Sequence, residues 1–375
     1  MAIRDVISRR WRPLLWLGSL AVSLLFALGT VTSWVHAGNR HAPIADVGTT
    51  VTNMAEVQEA IAPRMPKDTV IPLLPTGVLV SSLQFVNAHN VKATGHIWQH
   101  IVPGFPEDRI ELGALLLEAE DPHCLRKVFE YPLGDTKVVV WSFATVIRQQ
   151  FNYENYPLDH QDIWLRMRPA DMTNPVQLVP SFESFPPWNP DALNGLDPGL
   201  VFGDWKPDYT VYSLVHQKYS MLDRPGLSNT DELYFNVGVS RGLLGPLIGR
   251  IVPVMLLASL MFLSLFVITT DPDRRPISGF TAFAIITFSV STVLVVAVND
   301  NAVRTEVGSA GISYIEYWYF TLYMMTLLVA LNATMLLSGA FAKLIHWREN
   351  LLPKVLFWPL FTGTMFAATI GYLGF

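Results

Sequence analysis

The sequence predicts a membrane protein in which an all-β domain is followed by a four-helix membrane domain. Of the 375 residues, 51% are hydrophobic and only 15% are charged, which is unusual for a pair of soluble domains. The apolar residues concentrate near the N-terminus and after residue 243, in runs of roughly 20 residues, the length that a helix needs to cross a bilayer. Between these regions the chain is rich in proline, turns and short β-type runs. Together these observations predict the fold class.

The N-terminal segment, residues 1–37, is predicted to be either a signal peptide or a membrane anchor. Four arginines precede the apolar run "LLWLGSLAVSLLFAL". Val35 and Ala37 stand at the spacing that a signal peptidase recognises, which favours cleavage before Gly38. Apolar residues nevertheless recur as far as Trp34, which favours an uncleaved anchor, and the sequence leaves both alternatives open.

The central region is predicted to form the β domain. We expect a lead-in segment at 38–75, loosely structured or helical, and a β-sandwich at 76–242 with a doubtful helix near 109–120. Runs of β-branched and aromatic residues bounded by Pro, Gly, Asn and Asp are typical of strands, and their spacing favours an immunoglobulin-like arrangement of two antiparallel sheets. The runs are "GVLVSSLQFV", "TKVVVWSFATVI", "DIWLRMRP", "VQLVPSF", "YTVYSLVHQKYS" and "ELYFNVGVSR".

The membrane domain is predicted over residues 243–375, with four helices joined by short connections. Basic residues lie in the first and third connections and before the N-terminal apolar run, whereas the second connection carries only Arg304. Because basic residues mark the cytoplasmic side, we expect the β domain and the C-terminus to lie on the extracytoplasmic side of the cell's inner membrane. The helices are expected at about 243–269, 277–298, 317–340 and 353–374.

Two local motifs, taken with the order of the domains, resemble a known family. In "NYPLD", Tyr156, Pro157 and Asp159 match an aromatic-Pro-x-Asp loop motif, and Arg241 and Pro253 lie twelve residues apart where the last strand runs into the first helix. This combination resembles the pentameric ligand-gated ion channels, or Cys-loop receptors, in the prokaryotic form that lacks the cysteines. The resemblance covers about residues 76–375.

The sequence departs from the family pattern in two places. Gln149 and Ile163 stand where the family's two cysteines flank the loop motif. The connection after the second helix is also longer than the family usually shows and lacks its proline, which leaves the register of the pore helix open.

The resemblance implies a ligand-gated ion channel subunit. It implies a homopentamer in the lipid bilayer, opened by an extracytoplasmic small molecule or by protons and conducting monovalent ions. It also implies that Tyr156, Pro157, Asp159, Arg241 and Pro253 serve gating and coupling, with Asp159 and Arg241 meeting at the domain junction. Pro253 removes a backbone hydrogen bond, so it either bends the first helix for gating or is a tolerated kink.

The second membrane helix is the expected pore helix. One face of it carries residues at spacings of three and four, so these side chains are aligned along the helix. A competing face passes through Ala284, Thr287 and Ser291, and the hydroxyls of either face could simply bond the backbone of their own helix. The predicted pore-lining residues are Thr281, Ile285, Phe288, Thr292, Val295 and Asn299.

The predicted ligand site is implied by the resemblance and lies at the seam between neighbouring β domains. Tyr131, Trp141 and Tyr219 are the candidates for an aromatic wall, although core positions would also explain these residues. His160 adjoins the loop motif, and the ordinary pKa of histidine, about 6.5, would allow pH-dependent gating.

The remaining features argue against other functions. The net charge is −5 and Lys and Arg are not clustered outside the membrane-flanking segments, which excludes a nucleic-acid partner. The single Cys124 excludes an internal disulfide. We find no phosphate-binding loop, nucleophile motif or metal-ligand cluster, so we expect no enzyme activity, no cofactor and no metal site. The alternative function is a membrane-anchored sensor of the same fold that does not conduct.

Overall fold

The computed structural model of the chain consists of two compact units. The β unit comprises residues 41–152 and 160–241, and the membrane unit comprises residues 1–40, 153–159 and 242–375. The residues that the structure describes are 2–39, 44, 47–65, 71–103, 105, 114–116, 119–121, 123–169, 176–217, 231–267, 275–308, 311–338 and 350–374.

The β unit contains ten strands in two five-stranded sheets among the described residues. One sheet has the order β1-β9-β10-β7-β4 and is antiparallel, and the other has the order β5-β6-β3-β2-β8. The second sheet is mixed, because β8 pairs with β2 in parallel, so the expectation of two purely antiparallel sheets was wrong for this edge. The strands are β1 Thr49–Val51, β2 Leu73–Phe85, β3 Asn90–Ile101, β4 Ala114–Leu116, β5 Arg126–Leu133, β6 Thr136–Arg148, β7 His160–Pro169, β8 Gln177–Pro180, β9 Trp205–Val215 and β10 Glu232–Arg241.

Alternation along the strands places the core between the two sheets. In β7, Ile163, Leu165 and Met167 are buried while the residues between them are half-exposed, as a period of two requires. The backbone N–H of Val78, in the mixed sheet, donates to the hydroxyl of Tyr212, in the antiparallel sheet, at 3.1 Å. This hydrogen bond joins the two layers inside the core, where an unpaired amide would be costly.

Two parts of the β unit bear on the sequence-based expectations. The lead-in segment, expected to be loosely structured or helical, contains β1 and a short helix, α2 Met54–Ile61. The N-terminus of α2 is capped by the side chain of Asn53, which accepts from the N–H of Glu56 at 3.0 Å. The expected helix near 109–120 is contradicted over β4, which pairs with β7 as a strand. The pairing partner supplied by the tertiary fold decides this short apolar stretch, which local periodicity leaves ambiguous.

The membrane unit contains five helices, among the described residues, that are long and apolar enough to cross a membrane. Four of them correspond to the expected helices, and the fifth is N-terminal, so an isolated four-helix bundle is not what the structure contains. The helices are α1 Ala2–Asn39, the short α3 Leu244–Pro246, a π-helical turn Leu247–Ile251, α4 Val252–Val267, α5 Arg275–Val307, α6 Tyr314–Ser338 and α7 Leu351–Leu373.

The helix α5 continues to Val307, beyond the expected end near residue 298. Val296, Val303 and Val307 are all buried, which extends the apolar face of the helix past the polar residues Asn299 and Asp300. Burial of this face outweighs the local polarity, which had predicted a loop.

Candidate functional site

The loop Tyr153–Asp159 belongs to the membrane unit, although the chain on either side of it belongs to the β unit. Two turns shape it: the N–H of Tyr156 donates to the carbonyl of Tyr153 at 3.1 Å, and that of Leu158 donates to the carbonyl of Asn155 at 2.8 Å. The peptide bond between Tyr156 and Pro157 is cis. The loop is thus a compact structure, as its Asn and Pro content predicts.

Two carbonyl groups of this loop bind the N-terminus of α6. The N–H of Tyr314 donates to the carbonyl of Glu154 at 2.8 Å, and the N–H of Ile315 donates to the carbonyl of Tyr156 at 3.2 Å. The first N–H groups of a helix have no partner within the helix. The loop therefore supplies acceptors that the start of α6 needs, and the loop and the helix are held together by their backbones.

The side chain of Glu316 forms one half of a capping box at the N-terminus of α6. The carboxylate of Glu316 accepts from the backbone N–H of Ser313 at 2.5 Å and from its hydroxyl at 3.1 Å. The other oxygen of Glu316 lies 2.6 Å from Nε of Arg304, near the end of α5. The carboxylate of Glu316 is buried, with 2% of its side chain exposed, so this ion pair links the two helices at a partly dehydrated position. The spacing "SYIE" is a sequence signal for this cap that the sequence reasoning missed.

The side chain of Tyr156 reaches the end of α5 from the loop. Tyr156 is 1% exposed, and its hydroxyl donates to Oε1 of Glu306 at 3.5 Å. Glu306 also pairs with Arg250, on the π-helical turn, at 2.5 Å. The side chains of Arg250 and Glu306 are 22% and 44% exposed, so water weakens this pair, which we value at ~0.5 kcal/mol. The carboxylate of Glu306 thereby joins the loop, the π-helical turn and α5.

Asp159, Arg241 and Pro253 were also predicted to serve coupling. Asp159 is 3% exposed, and the guanidinium of Arg241 lies 4.2 Å from the ring centroid of Trp205. Asp159 and Arg241 belong to different units, and their pairing stays a prediction. Pro253 lies at the start of α4, directly after the π-helical turn. A proline has no N–H and disturbs the preceding turn, which accounts for the wider helix there.

Part of the predicted pore face of α5 is turned towards the inside of the membrane unit. Ile285 and Thr292 are 4% and 2% exposed, because this side of α5 packs against the unit's other helices. A side chain buried within one chain does not line a pore between chains, so the structure disfavours these two positions for that role. Phe288 and Asn299 are half-buried, and Val295 is exposed. Thr281 belongs to α5, but its side chain lies outside the described residues.

The competing face of α5 is the exposed one. Ala284, Thr287 and Ser291 are exposed, and Leu294 and Val298, which follow at helical spacing, are 65% and 63% exposed. The hydroxyl of Thr287 donates to the carbonyl of Phe283 at 3.0 Å, and that of Ser291 donates to the carbonyl of Thr287 at 3.1 Å. The hydroxyl oxygens retain lone pairs on the exposed side. The sequence left both faces of α5 open, and the choice between them stays a prediction.

A cavity of about 980 Å³ opens on one face of the mixed sheet in the β unit. Its wall includes Tyr131, one of the predicted ligand residues, which is 43% exposed. Trp141 is buried, and its strand neighbour Val140 lines the cavity, so the indole of Trp141 faces the opposite side of the sheet. Tyr219 lies outside the described residues. Of the two predicted residues that the structure describes, Tyr131 lies at this cavity and Trp141 does not.

Aromatic and imidazole side chains from β3 line the same cavity. The indole N–H of Trp98 donates to the hydroxyl of Ser184 at 2.8 Å, and Nε2 of His100 lies 3.1 Å from that hydroxyl. Burial lowers the pKa of His100, and the nearby charge of Glu183 opposes this effect only in part. His96 lines the cavity as well. The strand period of two, which aligns residues 96, 98 and 100, is the signal that would have found this wall.

His160, the first residue of β7, lies between two carboxylates in the β unit. Its Nδ1 is 3.2 Å from Asp208 and its Nε2 is 3.4 Å from Asp162. Burial of the ring disfavours the charged form, but hydrogen bonds and charge from Asp162 and Asp208 outweigh burial and raise the pKa of His160 to about 9. The imidazolium is therefore the form expected over pH 5–8, so His160 is not expected to switch in that range.

Two comparisons of the sequence with known proteins found no match. No protein-family model matches the chain, and no curated protein matches its sequence. Within the described residues, no group of three or more His, Cys, Asp or Glu side chains is arranged to hold a metal ion.

Proposed function

We propose that this chain is one subunit of a homopentameric channel for monovalent ions in the cell's inner membrane. The attachment of the loop Tyr153–Asp159 to the N-terminus of α6 carries this proposal. The chain enters the loop from β6 and leaves it into β7, so a change in the β unit has a covalent path to a segment that is bonded to membrane helices. Such a path is what a receptor channel requires to convert binding into gating.

The exposed face of α5 is the proposed pore lining. Thr287 and Ser291 would form two polar rings in a pentamer, with Leu294 and Val298 forming apolar rings that close the pore by excluding water. This assignment replaces the face of Ile285 and Thr292, which is packed within the chain.

The cavity beside Trp98 and Tyr131 is the proposed ligand site on the extracytoplasmic side. It combines aromatic walls with a few polar groups, which is the usual composition of a small-molecule site. The lowered pKa of His100 leaves Glu183 as the charged group in this part of the wall. This favours a neutral or cationic small molecule over an anionic one.

A second candidate function is a membrane-anchored sensor that does not conduct. One observation favours it: the hydroxyl protons of Thr287 and Ser291 are used within their own helix, as in helices that merely tolerate hydroxyl residues. A sensor needs the loop attachment but needs no polar face directed at a pore.

Planar bilayers containing the purified protein provide the test. Current is recorded while pH and a set of small amines and carboxylates are varied, and the oligomer mass is measured in detergent. A channel predicts five subunits and a current that depends on one of these variables. A pentamer silent under every condition would favour the sensor, whereas an assembly of any other size would contradict the proposed channel.

A further inference from the structure

The two faces of α1 differ in a way that an ordinary signal peptide does not require. Its exposed positions include leucines such as Leu17, Leu25 and Leu28, each more than 60% exposed. Its buried positions are mostly polar or small. Such a helix exposes its large apolar residues to lipid and packs its small residues against another helix, as is usual for membrane helices that associate. The buried residues are Ser19, Ser23, Thr30, Ser33 and Trp34.

In its middle, α1 fits α7 through two reciprocal glycine contacts. A Cβ atom added to Gly29 would come within 2.4 Å of the Phe366 ring, and one added to Gly363 would come within 3.2 Å of the Phe26 ring. The two phenylalanine rings are 5.6 Å apart. Each helix therefore places an aromatic ring over the glycine of the other, which is complementarity of shape and not only of hydrophobicity.

Nearer its N-terminus, α1 contacts both α7 and α4. The hydroxyl of Ser19 donates to the backbone carbonyl of Val355 at 2.5 Å. The indole of Trp16 stacks on Phe266 with centroids 6.1 Å apart and meets Phe262 edge-on at 6.5 Å. An interhelical hydrogen bond to a backbone carbonyl is specific in direction and position, unlike lipid contact.

At its C-terminal end, α1 reaches the start of α6. The indole N–H of Trp34 donates to the hydroxyl of Tyr314 at 2.8 Å, and that hydroxyl lies 2.8 Å from the hydroxyl of Thr369 on α7. Tyr314 is also the residue whose backbone N–H binds the carbonyl of Glu154 in the loop. Trp34 thus contacts Tyr314, the residue to which the loop Tyr153–Asp159 is attached.

We infer that the mature protein retains α1 as a fifth membrane helix, and that Trp34 is a positioning residue for the N-terminus of α6. A cleaved signal peptide needs only an apolar core of suitable length. Cleavage before Gly38 would remove Ser19, Gly29 and Trp34. The contacts of α1 with the Val355 carbonyl, the Phe366 ring and the Tyr314 hydroxyl would then be lost, and the Tyr314 hydroxyl would keep its contact with Thr369. Retention goes beyond the proposed function and does not depend on conduction.

The intact mass of the full chain, purified from membranes through a C-terminal tag, tests retention directly. We expect a mass that includes α1. A protein that begins near Gly38 would overturn the inference, whether or not the protein conducts.

A matched pair of glycine variants tests the packing of α1. Gly29 faces the Phe366 ring, whereas a Cβ on Gly18, in the same helix, meets nothing within 4 Å. Both Gly29→Leu and Gly18→Leu add the same side chain and the same helix propensity. We expect Gly29→Leu alone to lower the melting temperature in detergent. Equal melting temperatures for the two variants, with intact masses confirming that both keep α1, would overturn the inferred packing of α1 against α7.

The positioning role of Trp34 has a separate readout. Trp34→Phe keeps an aromatic ring but removes the N–H donor to Tyr314, and Trp16→Phe makes the same change at the other end of the helix. Hydrogen exchange at the backbone amides of Tyr314 and Ile315 should become several-fold faster in Trp34→Phe and stay at the parent rate in Trp16→Phe. Unchanged exchange in Trp34→Phe would overturn the role, and this readout requires no current.

Discussion

The middle and the C-terminal end of α5 are held in different ways. In the middle, Thr287 and Ser291 are exposed and their hydroxyls bond the carbonyls of their own helix. At the C-terminal end, Arg304 pairs with Glu316 on α6, and Glu306 meets both Arg250 and the loop residue Tyr156. The helix is therefore attached to its neighbours where the loop Tyr153–Asp159 contacts it, and it presents an exposed face along the section proposed to line the pore.

We expect the largest effect from chemical modification of the middle section of α5. In a Cys124→Ser background, we expect a positively charged thiol reagent to abolish most of the current of Thr287→Cys and Ser291→Cys. The matched Thr292→Cys should react at least tenfold more slowly, because Thr292 is 2% exposed. Equal modification of Thr292→Cys and Ser291→Cys would contradict the exposed face as the pore lining. The Cys124→Ser change removes the single native cysteine, so each introduced cysteine is the only thiol of its variant.

At the C-terminal end of α5, Glu316→Ala should cause the largest loss of stability. It removes the capping box at Ser313 and leaves Arg304 without its partner. Loss of a cap and of one member of a partly buried pair should together cost about 3 kcal/mol, with the 49% exposure of Arg304 limiting the penalty. Thermal unfolding in detergent measures this cost. Thr305→Ala, which removes only a bond to the helix's own backbone, is the control and should change little; equal losses would argue against the cap.

A pH-dependent change in stability should arise in the β unit and not in α5. The pKa of His160 is raised to about 9 in the folded state, above the ordinary value of 6.5. The stabilisation is therefore complete below about pH 6.5 and is lost as pH rises through 9, by on the order of 2 kcal/mol. Unfolding measured from pH 6 to pH 10 should show this loss in the parent and a flatter profile in His160→Gln. His123→Gln, at an exposed position, serves as the control, and a parent-like slope in His160→Gln would contradict the assignment.

The smallest effect is expected at the pair of Arg250 and Glu306. Both side chains are partly exposed, so Glu306→Gln should shift the half-activating ligand concentration or pH only about two- to fivefold. A double-mutant cycle with Arg250→Gln isolates the interaction from other effects of each change. Additive effects would show that this pair does not contribute to coupling.

The sequence predicted helices long and apolar enough to cross a membrane, because length and hydropathy are local signals. The motif around Pro157 predicted a structured loop against the membrane domain, and the loop belongs to the membrane unit. The extension of α5 to Val307 was missed because burial of Val303 depends on tertiary packing. The capping box at Ser313 was present in the sequence but was not recognised.

Side-chain direction could not be predicted in the same way. Hydroxyl residues occur around much of α5, so spacing alone did not distinguish the buried Thr292 from the exposed Ser291. In β6, Val140 and the adjacent Trp141 face opposite sides of the sheet, and a register error of one residue exchanges them. The buried face of α5 and the side of the sheet that each β6 residue faces both depend on which face packs against a neighbouring element. Only the tertiary structure gives this information.

The reversal potential of the current in an asymmetric KCl gradient tests the central claim most directly. Ser291→Asp and Ser291→Lys place opposite charges on the exposed face of α5, five times in a pentamer. We predict that the reversal potential moves towards that of potassium with Asp and towards that of chloride with Lys, relative to the parent. Identical reversal potentials in all three conducting proteins, or the absence of any current from the parent, would contradict a pore lined by this face.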